Sequence, residues 1–337
     1  MSKYWKERAA QREMESQLIA DKYLARMDAS LREAQQDILR QIEAFYIRYA
    51  KDNQLSLAET RKYLTSKEVK EFKGVTLKRF KDMAKSGNPE YENLLNAISY
   101  RVRISRLEAL QMQIEMRMIE LYGGKNGLVE YAYSGLTEVY QNTYYQNMFT
   151  FYLAGVHTNK IIALSDDAIK EALTYNWSGK EFSKRIWGHE KITMLNIRKE
   201  LEKSFTSGRS IQKTAKAIKD VTDVSSSRAV ALVRTESNFF HGLAAQQSYV
   251  DAGIEKYEVL ATLDFRTSDI CRQQDGEVYL VSDYQPGKTA NPFHVRCRST
   301  TVAWFDENEY MEGENRESIE GVIPSISYQE WFEQFVE

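Results

Sequence analysis

Two cysteines and a histidine lie close together near the C-terminal end of this chain. Cys271 and Cys297 are its two cysteines, and His294, one of four histidines, precedes Cys297 by three residues. That spacing lets both side chains reach one ion, and Cys271 can add a third ligand if the fold brings it near. The pattern indicates a candidate structural zinc site formed by Cys271, His294 and Cys297. Oxygen ligands could come from three nearby acidic residues, Asp264, Asp269 and Asp275.

Other arrangements of the same residues stay open. Structural zinc sites usually hold four ligands, and this segment offers three from cysteine and histidine. We favour a buried hydrogen-bonded cluster, because a buried charge has to be paired. Its members would be His294 and Arg266, tied to Asp264 and Asp275. A disulfide between the two cysteines is a further alternative.

Two enzymatic chemistries use the same residue types. A thiol hydrolase combines cysteine, histidine and aspartate. We expect no helix N-terminus beside these cysteines to lower a thiol pKa, and no protease signature is present. Transfer of ADP-ribose uses an arginine, a Ser/Thr strand motif and a glutamate, types offered by Arg234, Ser299–Thr301 and Glu307 or Glu309. Arg234 lies on a predicted helix rather than a strand, which disfavours ADP-ribose transfer. Because neither set of residues is convincing as a catalytic site, we predict that the chain is not an enzyme.

Apolar periodicity predicts long helices over most of the chain. Between residues 4 and 50, apolar residues recur every seven positions without Gly or Pro, which predicts one continuous helix. Ser165 and its acidic neighbours predict a capped helix to about residue 173. Other predicted helices are short ones over 56–86, then 91–121, 192–205, 211–218 and 225–251. On the last of these, Arg234 and Glu236 point to different faces, so we expect one to turn inward and a salt link to fix helix to sheet.

The pattern changes after Gly253. Three β-rich segments are predicted strands, over residues 257–263, 277–281 and 298–303. Loops carrying the cysteines and His294 connect them. The sequence therefore predicts an α+β fold, with a mostly helical N-terminal part of long helices and a small C-terminal α+β domain with a short sheet. We place a helical domain at 1–155, a second domain at 156–305 and an acidic tail at 306–337.

Charge and hydropathy argue against a membrane protein, a secreted protein and a strong nucleic-acid binder. No run of 18 apolar residues is present, so we expect no membrane span. The N-terminus lacks the apolar core of a signal peptide, so the chain is expected to stay inside the cell that makes it. The net charge of −2 conceals an asymmetry, because residues 306–337 hold ten acidic residues and one basic residue. The dense Lys/Arg patches of nucleic-acid sites are lacking, so we expect at most a weak DNA contact.

Several short motifs follow one another in the C-terminal half. They are Arg234-Thr235-Glu236, Leu263-Asp264-Phe265-Arg266-Thr267, Cys271-x-x-x-Asp275-Gly276 and Pro292-Phe293-His294-x-x-Cys297-Arg298. In order and spacing they resemble the C-terminal domain of the MuF-type phage head-morphogenesis family, the minor head proteins of tailed bacteriophages and prophages. Three upstream motifs also fit: Tyr4-Trp5-x-x-Arg8, Trp177-Ser178-Gly179-Lys180 and Arg185-Ile186-Trp187. The resemblance is strong over residues 165–305 and weaker over residues 1–60.

This resemblance implies a minor structural (minor capsid) protein of the virion, acting at the portal or procapsid in head assembly and, in some members, in genome delivery. The implied partners are the portal protein, the major capsid or scaffolding protein and copies of itself. The implied location is the virion head, and the host cytoplasm during assembly. Many members have Cys-Arg-Cys where this chain reads Cys297-Arg298-Ser299, so a shared metal site would lack one ligand here. The alternatives are a metal- or thiol-dependent enzyme carried in the head and a DNA-associated internal protein that is ejected.

Overall fold

The structure is a computed structural model that describes residues 3–52, 106–156, 163–175, 182–206, 209, 211–305, 332, 333 and 336. Helices and strands in these ranges confirm the predicted α+β class. The helices are α1 (Lys3–Asp52), α2 (Arg106–Gly123), α3 (Leu128–Leu153), α4 (Asp166–Thr174), α5 (Phe182–Thr206), α6 (Ile211–Asp251) and α7 (Asp269–Gln274). The strands are β1 (Lys256–Leu260), β2 (Val278–Leu280) and β3 (Thr300–Trp304). The helices predicted over 56–86, the first part of the one predicted over 91–121 and the motif at 177–180 lie outside the described residues.

The chain packs into two compact units. The first unit contains Met1–Leu24, Ala132–Phe182 and Val230–Glu337, and the second contains Ala25–Tyr131 and Ser183–Ala229. Each unit combines segments that are distant in sequence, whereas the predicted boundaries at 155 and 305 divide the chain into consecutive blocks. Those boundaries stay predictions. Among the described helices, none has a stretch long and apolar enough to cross a membrane.

Two predicted helices form as expected. α1 is continuous, and the apolar residues of its repeat, such as Leu24, Ile38 and Phe45, are buried. Ser165 caps α4, because its hydroxyl accepts a hydrogen bond of 3.1 Å from the backbone N–H of Ala168. Local periodicity and capping chemistry therefore determine these two elements.

Two other helices differ from their predicted bounds. α5 begins at Phe182 rather than at residue 192, and Ile186 extends its buried stripe toward the N-terminus. α6 is a single helix, although a break before Ser225 was predicted. Ser225 does not cap a helix: its buried hydroxyl accepts a 2.9 Å hydrogen bond from Thr193 and lies 3.2 Å from the hydroxyl of Tyr122. Because these contacts within the second unit satisfy the hydroxyl, the helix continues through the serine.

β1 is the central strand of an antiparallel sheet with the order β2-β1-β3. Tyr257 of β1 pairs with Tyr279 of β2 on one side and with Ala303 of β3 on the other. The three predicted strands form, but β1 ends at Leu260 rather than at residue 263. The reason is that the next backbone N–H, of Ala261, donates to a side chain, Asp275 Oδ1, at 2.8 Å. The chain leaves the sheet there and enters the loops that carry the cluster.

The polar side of α6 covers β3. The ring of His241 is buried between Thr300 Oγ1 of β3, at 2.8 Å, and Thr143 Oγ1 of α3, at 2.9 Å. Farther along α6, the hydroxyl of Tyr249 lies 3.1 Å from Thr301 Oγ1. Burial lowers the pKa of His241 to about 4, so its ring is neutral at pH 7 and offers one donor and one acceptor. A neutral histidine thus joins α3, α6 and β3.

The start of α1 also packs in the first unit. The ring of Trp5 lies 4.9 Å from that of Phe305 and 5.8 Å from that of Phe151, measured between centroids. The ammonium of Lys6 forms an ion pair with the buried carboxylate of Glu258 on β1. These contacts hold the first turns of α1 against the strand that follows α6.

We expect the stability of the protein to fall as the pH rises toward 7, because of Glu13 on α1. Glu13 is buried, its Oε1 accepts a 2.9 Å hydrogen bond from Gln17, and burial raises its pKa from 4.5 to about 7. The folded state therefore keeps a proton that the unfolded chain releases. The resulting stabilisation is full below pH 4.5 and is lost as the pH passes through about 7.

Glu13→Gln should remove this dependence and be roughly 2–3 kcal/mol more stable than the wild type at pH 8, with a smaller difference at pH 5. Urea unfolding at the two pH values measures the free energy of unfolding directly. Glu7→Gln, at an exposed position of the same helix, is the control and should follow the wild type. Equal pH dependence in Glu13→Gln and the wild type would contradict the prediction.

Candidate functional site

The structure brings the two cysteines and His294 together. Cys271 Sγ lies 3.8 Å from Cys297 Sγ and 3.2 Å from His294 Nε2. The three atoms all lie within 4.8 Å of one another. Both sulphur atoms belong to buried residues, Cys271 being 3% and Cys297 1% exposed. We call these three residues the Cys/His cluster.

Cys271 is positioned by a short helix that was not predicted. It lies in the first turn of α7, and the hydroxyl of Ser268 accepts a hydrogen bond from its backbone N–H at 3.4 Å. The expectation that no helix N-terminus lies beside these cysteines was therefore wrong. Ser-Asp followed by a short polar run was the capping signal that could have revealed α7.

His294 and Cys297 belong to one tight turn. The backbone N–H of Cys297 donates to the carbonyl of His294 at 3.1 Å. Between them, Arg296 has a positive φ of 60°, which is uncommon for a residue other than glycine. Its backbone N–H donates to Thr235 Oγ1 of α6 at 2.9 Å, so α6 holds the turn in this conformation.

A pair of asparagines holds the loop on either side of this turn. Asn291 is fully buried, and its amide donates to the backbone carbonyl and side-chain oxygen of Asn238 on α6, at 2.9 and 3.0 Å. The amide of Asn238 in turn donates to the carbonyl of Ser299 at 2.9 Å. The sequence reasoning missed both residues. A usable signal was the three-residue spacing of Thr235, Asn238 and His241, which places polar groups along one side of a helix.

The ring orientation of His294 is fixed by a backbone group. Its Nδ1 lies 2.8 Å from the carbonyl of Val295, which can only accept, so Nδ1 carries the proton. In the neutral ring, Nε2, which faces Cys271, then has a free lone pair, whereas in the doubly protonated ring Nε2 donates to Cys271. This tautomer suits either acceptance of a thiol proton or coordination of a metal.

The two thiols differ in acidity. The hydrogen bond from Cys297 lowers the pKa of Cys271, and hydrogen bonds involving Ser268, Ser299 and His294 act in the same direction. The pKa of Cys297 is raised by its hydrogen bond to Cys271 and by burial. Cys271 is therefore the more acidic of the two thiols. Ser299, which stands where many proteins of the resembled family have a third cysteine, is buried beside it.

The carboxylate of Asp264 is arranged differently from the expected buried cluster. It lies at an exposed position and receives two hydrogen bonds of 2.7 Å from the guanidinium of Arg298. The Arg298 guanidinium, followed by the backbone N–H of Arg266, holds the pKa of Asp264 well below its usual range. The Arg266 side chain makes a weaker contact, because it is 80% exposed and its nearest nitrogen is 3.7 Å from that carboxylate. Arg298, rather than Arg266, thus joins this loop to the turn of Cys297.

Asp275 and Gly276 shape the end of the α7 segment. Asp275 accepts the backbone N–H of Ala261, as described above, rather than a bond from His294 or Arg266. Gly276 has a positive φ of 83°, a conformation that favours glycine. Its backbone N–H donates a 2.9 Å hydrogen bond to the carbonyl of Val259. These two residues return the chain from α7 to the sheet.

Arg234 and Glu236 were expected to link α6 to the sheet. Glu236 is buried, as expected for one of the two. Arg234 instead pairs with Asp21 of α1 at 2.6 Å and donates to Gln17 at 3.0 Å. Its salt link therefore fixes helix to helix. The partner is far away in the sequence, so local spacing could not have identified it.

A cavity of about 650 Å³ adjoins the Cys/His cluster. Four arginines contribute to its wall, together with the three cluster residues: Arg234, Arg266, Arg296 and Arg298. Two of these arginines are paired with carboxylates, Arg234 with Asp21 and Arg298 with Asp264. Of the residues considered for ADP-ribose transfer, Arg234 lies on α6, the hydroxyl of Thr300 faces His241, and the hydroxyl of Thr301 faces Tyr249. Glu307 and Glu309 lie outside the described residues.

Comparison with known proteins shows that part of the chain is similar to a family. Residues 195–302 match the family model of Phage Mu protein F like protein, which confirms the MuF-type resemblance over this segment. The segment runs from α5 into β3 and includes the whole Cys/His cluster. It relates this part of the chain to phage head proteins and, through them, to the virion. No solved structure gives a significant match.

Two curated proteins are similar over parts of their length. An uncharacterised protein of Haemophilus influenzae is 29% identical over 96 residues, which are 28% of this chain and 21% of that protein. An NAD(+)–arginine ADP-ribosyltransferase of Enterococcus faecalis, EFV, is 26% identical over 183 residues, 50% of this chain and 37% of that protein. The chain thus spans about a fifth and just over a third of the length of these relatives.

Asn238→Ala should destabilise the protein by roughly 2–4 kcal/mol, because it removes two buried hydrogen bonds and leaves the carbonyl of Ser299 and the amide of Asn291 short of partners. The free energy of unfolding from urea titration measures this loss. Asn196→Ala, at a half-buried position of α5, is the matched control and should change stability by less than about 1 kcal/mol. A loss at position 238 no larger than at 196 would show that the asparagine pair does not hold the loop.

Proposed function

We propose that this chain is a minor structural protein of a tailed-phage or prophage head, acting at the portal vertex or in the procapsid during head assembly. One observation carries the proposal: the family match covers α6, β1, β2, the start of β3 and the Cys/His cluster as one continuous segment. The residues that form the cluster and the elements that position it thus lie in the segment that resembles a phage head protein. Portal protein, major capsid or scaffolding protein and further copies of the chain are the proposed partners.

Exposed apolar side chains on the cluster loops support a role in protein association. Phe265 is fully exposed, and Leu263 and Val295 are each 65% exposed. They lie on the two loops that Arg298 and Asp264 join. Exposed apolar groups of this size commonly mark interaction sites, and aromatic residues are enriched in the centres of interfaces. We propose that these loops contact the portal protein.

A second candidate is a thiol-dependent enzyme carried in the head. The 3.2 Å contact between Cys271 and His294 favours it, because this is the distance between a nucleophile and its general base. It predicts that Cys271→Ala abolishes a reaction but leaves head assembly intact. The structural proposal predicts the opposite pattern, in which infectious heads depend on the folded chain and not on any turnover.

Co-expression with the portal protein of the same phage or prophage genome tests the proposed association. The wild-type chain should co-purify with the portal protein, and a Leu263→Ser/Phe265→Ser variant should bind roughly tenfold or more weakly, since truncation of apolar interface anchors typically costs at least 1–2 kcal/mol. Leu195→Ser/Val224→Ser is the matched control, because it removes two exposed apolar side chains of the same matched segment away from these loops. Circular dichroism confirms that each variant is folded.

Two results would count against the proposal in different ways. If the wild-type chain does not associate with the portal protein, and its removal leaves the yield of infectious heads unchanged, the assembly function is wrong. If both double variants bind as the wild type does, the function stands and the proposed contact loops are wrong.

A further inference from the structure

We propose that Cys271, His294 and Cys297 bind one zinc ion, through Sγ, Nε2 and Sγ respectively. The ion would be structural, tying α7 to the turn before β3. This inference concerns the chemistry of the Cys/His cluster and does not depend on the proposed role in head assembly.

The distances fit a zinc coordination sphere. Zinc bonds of about 2.3 Å to sulphur and 2.0–2.1 Å to nitrogen, at tetrahedral angles, separate two sulphur ligands by about 3.8 Å and a sulphur from a nitrogen by about 3.6 Å. The two sulphur atoms are 3.8 Å apart, and Cys271 Sγ lies 3.2 Å from His294 Nε2. The three ligand atoms lie within 4.8 Å of one another. The two distances from Cys271 Sγ are thus within a few tenths of an ångström of those in a zinc site.

The groups around the ligands have the chemistry that a metal site needs. Nδ1 of His294 is held by the carbonyl of Val295 at 2.8 Å, which directs the unprotonated Nε2 toward the sulphurs. Metal-binding histidines usually make such a bond with the nitrogen that does not face the metal. Two thiolates and one imidazole form a soft ligand set that selects zinc over magnesium or calcium.

The hydrophobic core around the ligands is small, so a bound metal ion would add substantially to the stability of these loops. Beside the sheet, Ala261, Cys271 and Cys297 form a separate buried cluster, against which Phe293 packs. Three small side chains bury little apolar area, so they stabilise these loops weakly. A metal ion bound only in the folded state would add its binding free energy to the stability of the loops.

The fourth coordination position is left to water from the adjoining cavity. All three ligand residues line that cavity, and so does Ser299. Ser299 is 2% exposed and forms a side-chain hydrogen bond with Cys271. A sulphur at this position would complete a four-ligand protein site, because position 299 already touches a ligand. A cysteine at position 299 should therefore strengthen zinc binding, whereas loss of Cys271 or His294 should weaken it.

The test uses the full-length chain, purified with a phosphine reductant, stripped of metal with a chelator and titrated with Zn²⁺ or Co²⁺. We expect one ion per chain, a higher melting temperature with Zn²⁺, and a Co²⁺ spectrum with thiolate charge-transfer and tetrahedral ligand-field bands. Cys271→Ser and His294→Ala should each lose this binding. His189→Ala, which removes a histidine outside the cluster, is the matched control and should keep it.

Ser299→Cys gives a test that loss of folding cannot imitate. It should bind Zn²⁺ roughly tenfold or more tightly than the wild type and show stronger charge-transfer absorption, because a third thiolate joins the site. Three results would overturn the proposal: no zinc bound at micromolar concentration by the folded wild type, binding that survives both Cys271→Ser and His294→Ala, or a chain whose mass shows a Cys271–Cys297 disulfide that the reductant does not open.

Discussion

The small sheet depends on hydrogen bonds from the polar side of α6. β1 and β3 have five residues each and β2 has three, so the sheet alone buries little area. Four α6 side chains, Thr235, Asn238, His241 and Tyr249, meet Arg296, Ser299, Thr300 and Thr301 in the same order along the chain. Every one of these groups is polar and most are buried, so each would be costly to leave without a partner. The alignment of helix and strand is therefore specific, because a shift along α6 would break all four contacts.

The geometry of the Cys/His cluster follows from this alignment. The turn that carries His294 and Cys297 lies directly before the residues that α6 holds, and the bond from Arg296 to Thr235 fixes its unusual backbone conformation. Cys271 lies on α7, a separate segment whose N-terminus is capped by Ser268. The cluster is thus positioned mainly by backbone hydrogen bonds. Such positioning is less sensitive to side-chain rotamer changes than a site built on long exposed side chains.

Local sequence patterns predicted α1, α4 and the three strands, and the grouping of cysteines and histidine predicted the members of the cluster. They did not predict α7, the start of α5 or the continuity of α6. The contacts that they did not predict involve residues that are distant in sequence. Ser225 is a residue type that often caps helices, but its hydroxyl contacts Thr193 and Tyr122. Arg234 forms an ion pair with Asp21 on α1. In the sequence, Arg266 is the near neighbour of Asp264, but in the folded loops the closer ion pair is with Arg298, 34 residues away. Local spacing carries no information about such contacts.

Several charged and reactive side chains of the Cys/His cluster also hold its loops together. A hydrolytic thiol usually has a histidine oriented by a third polar group and an opening for the substrate. Here the orienting group of His294 is the neutral carbonyl of its own neighbour, and both cysteines, although they line the adjoining cavity, are almost completely buried. The bonds that lower the pKa of Cys271 come first from Cys297 and then from Ser268, which also caps α7. Groups that lower the pKa of Cys271 are thus also groups that hold the loops together.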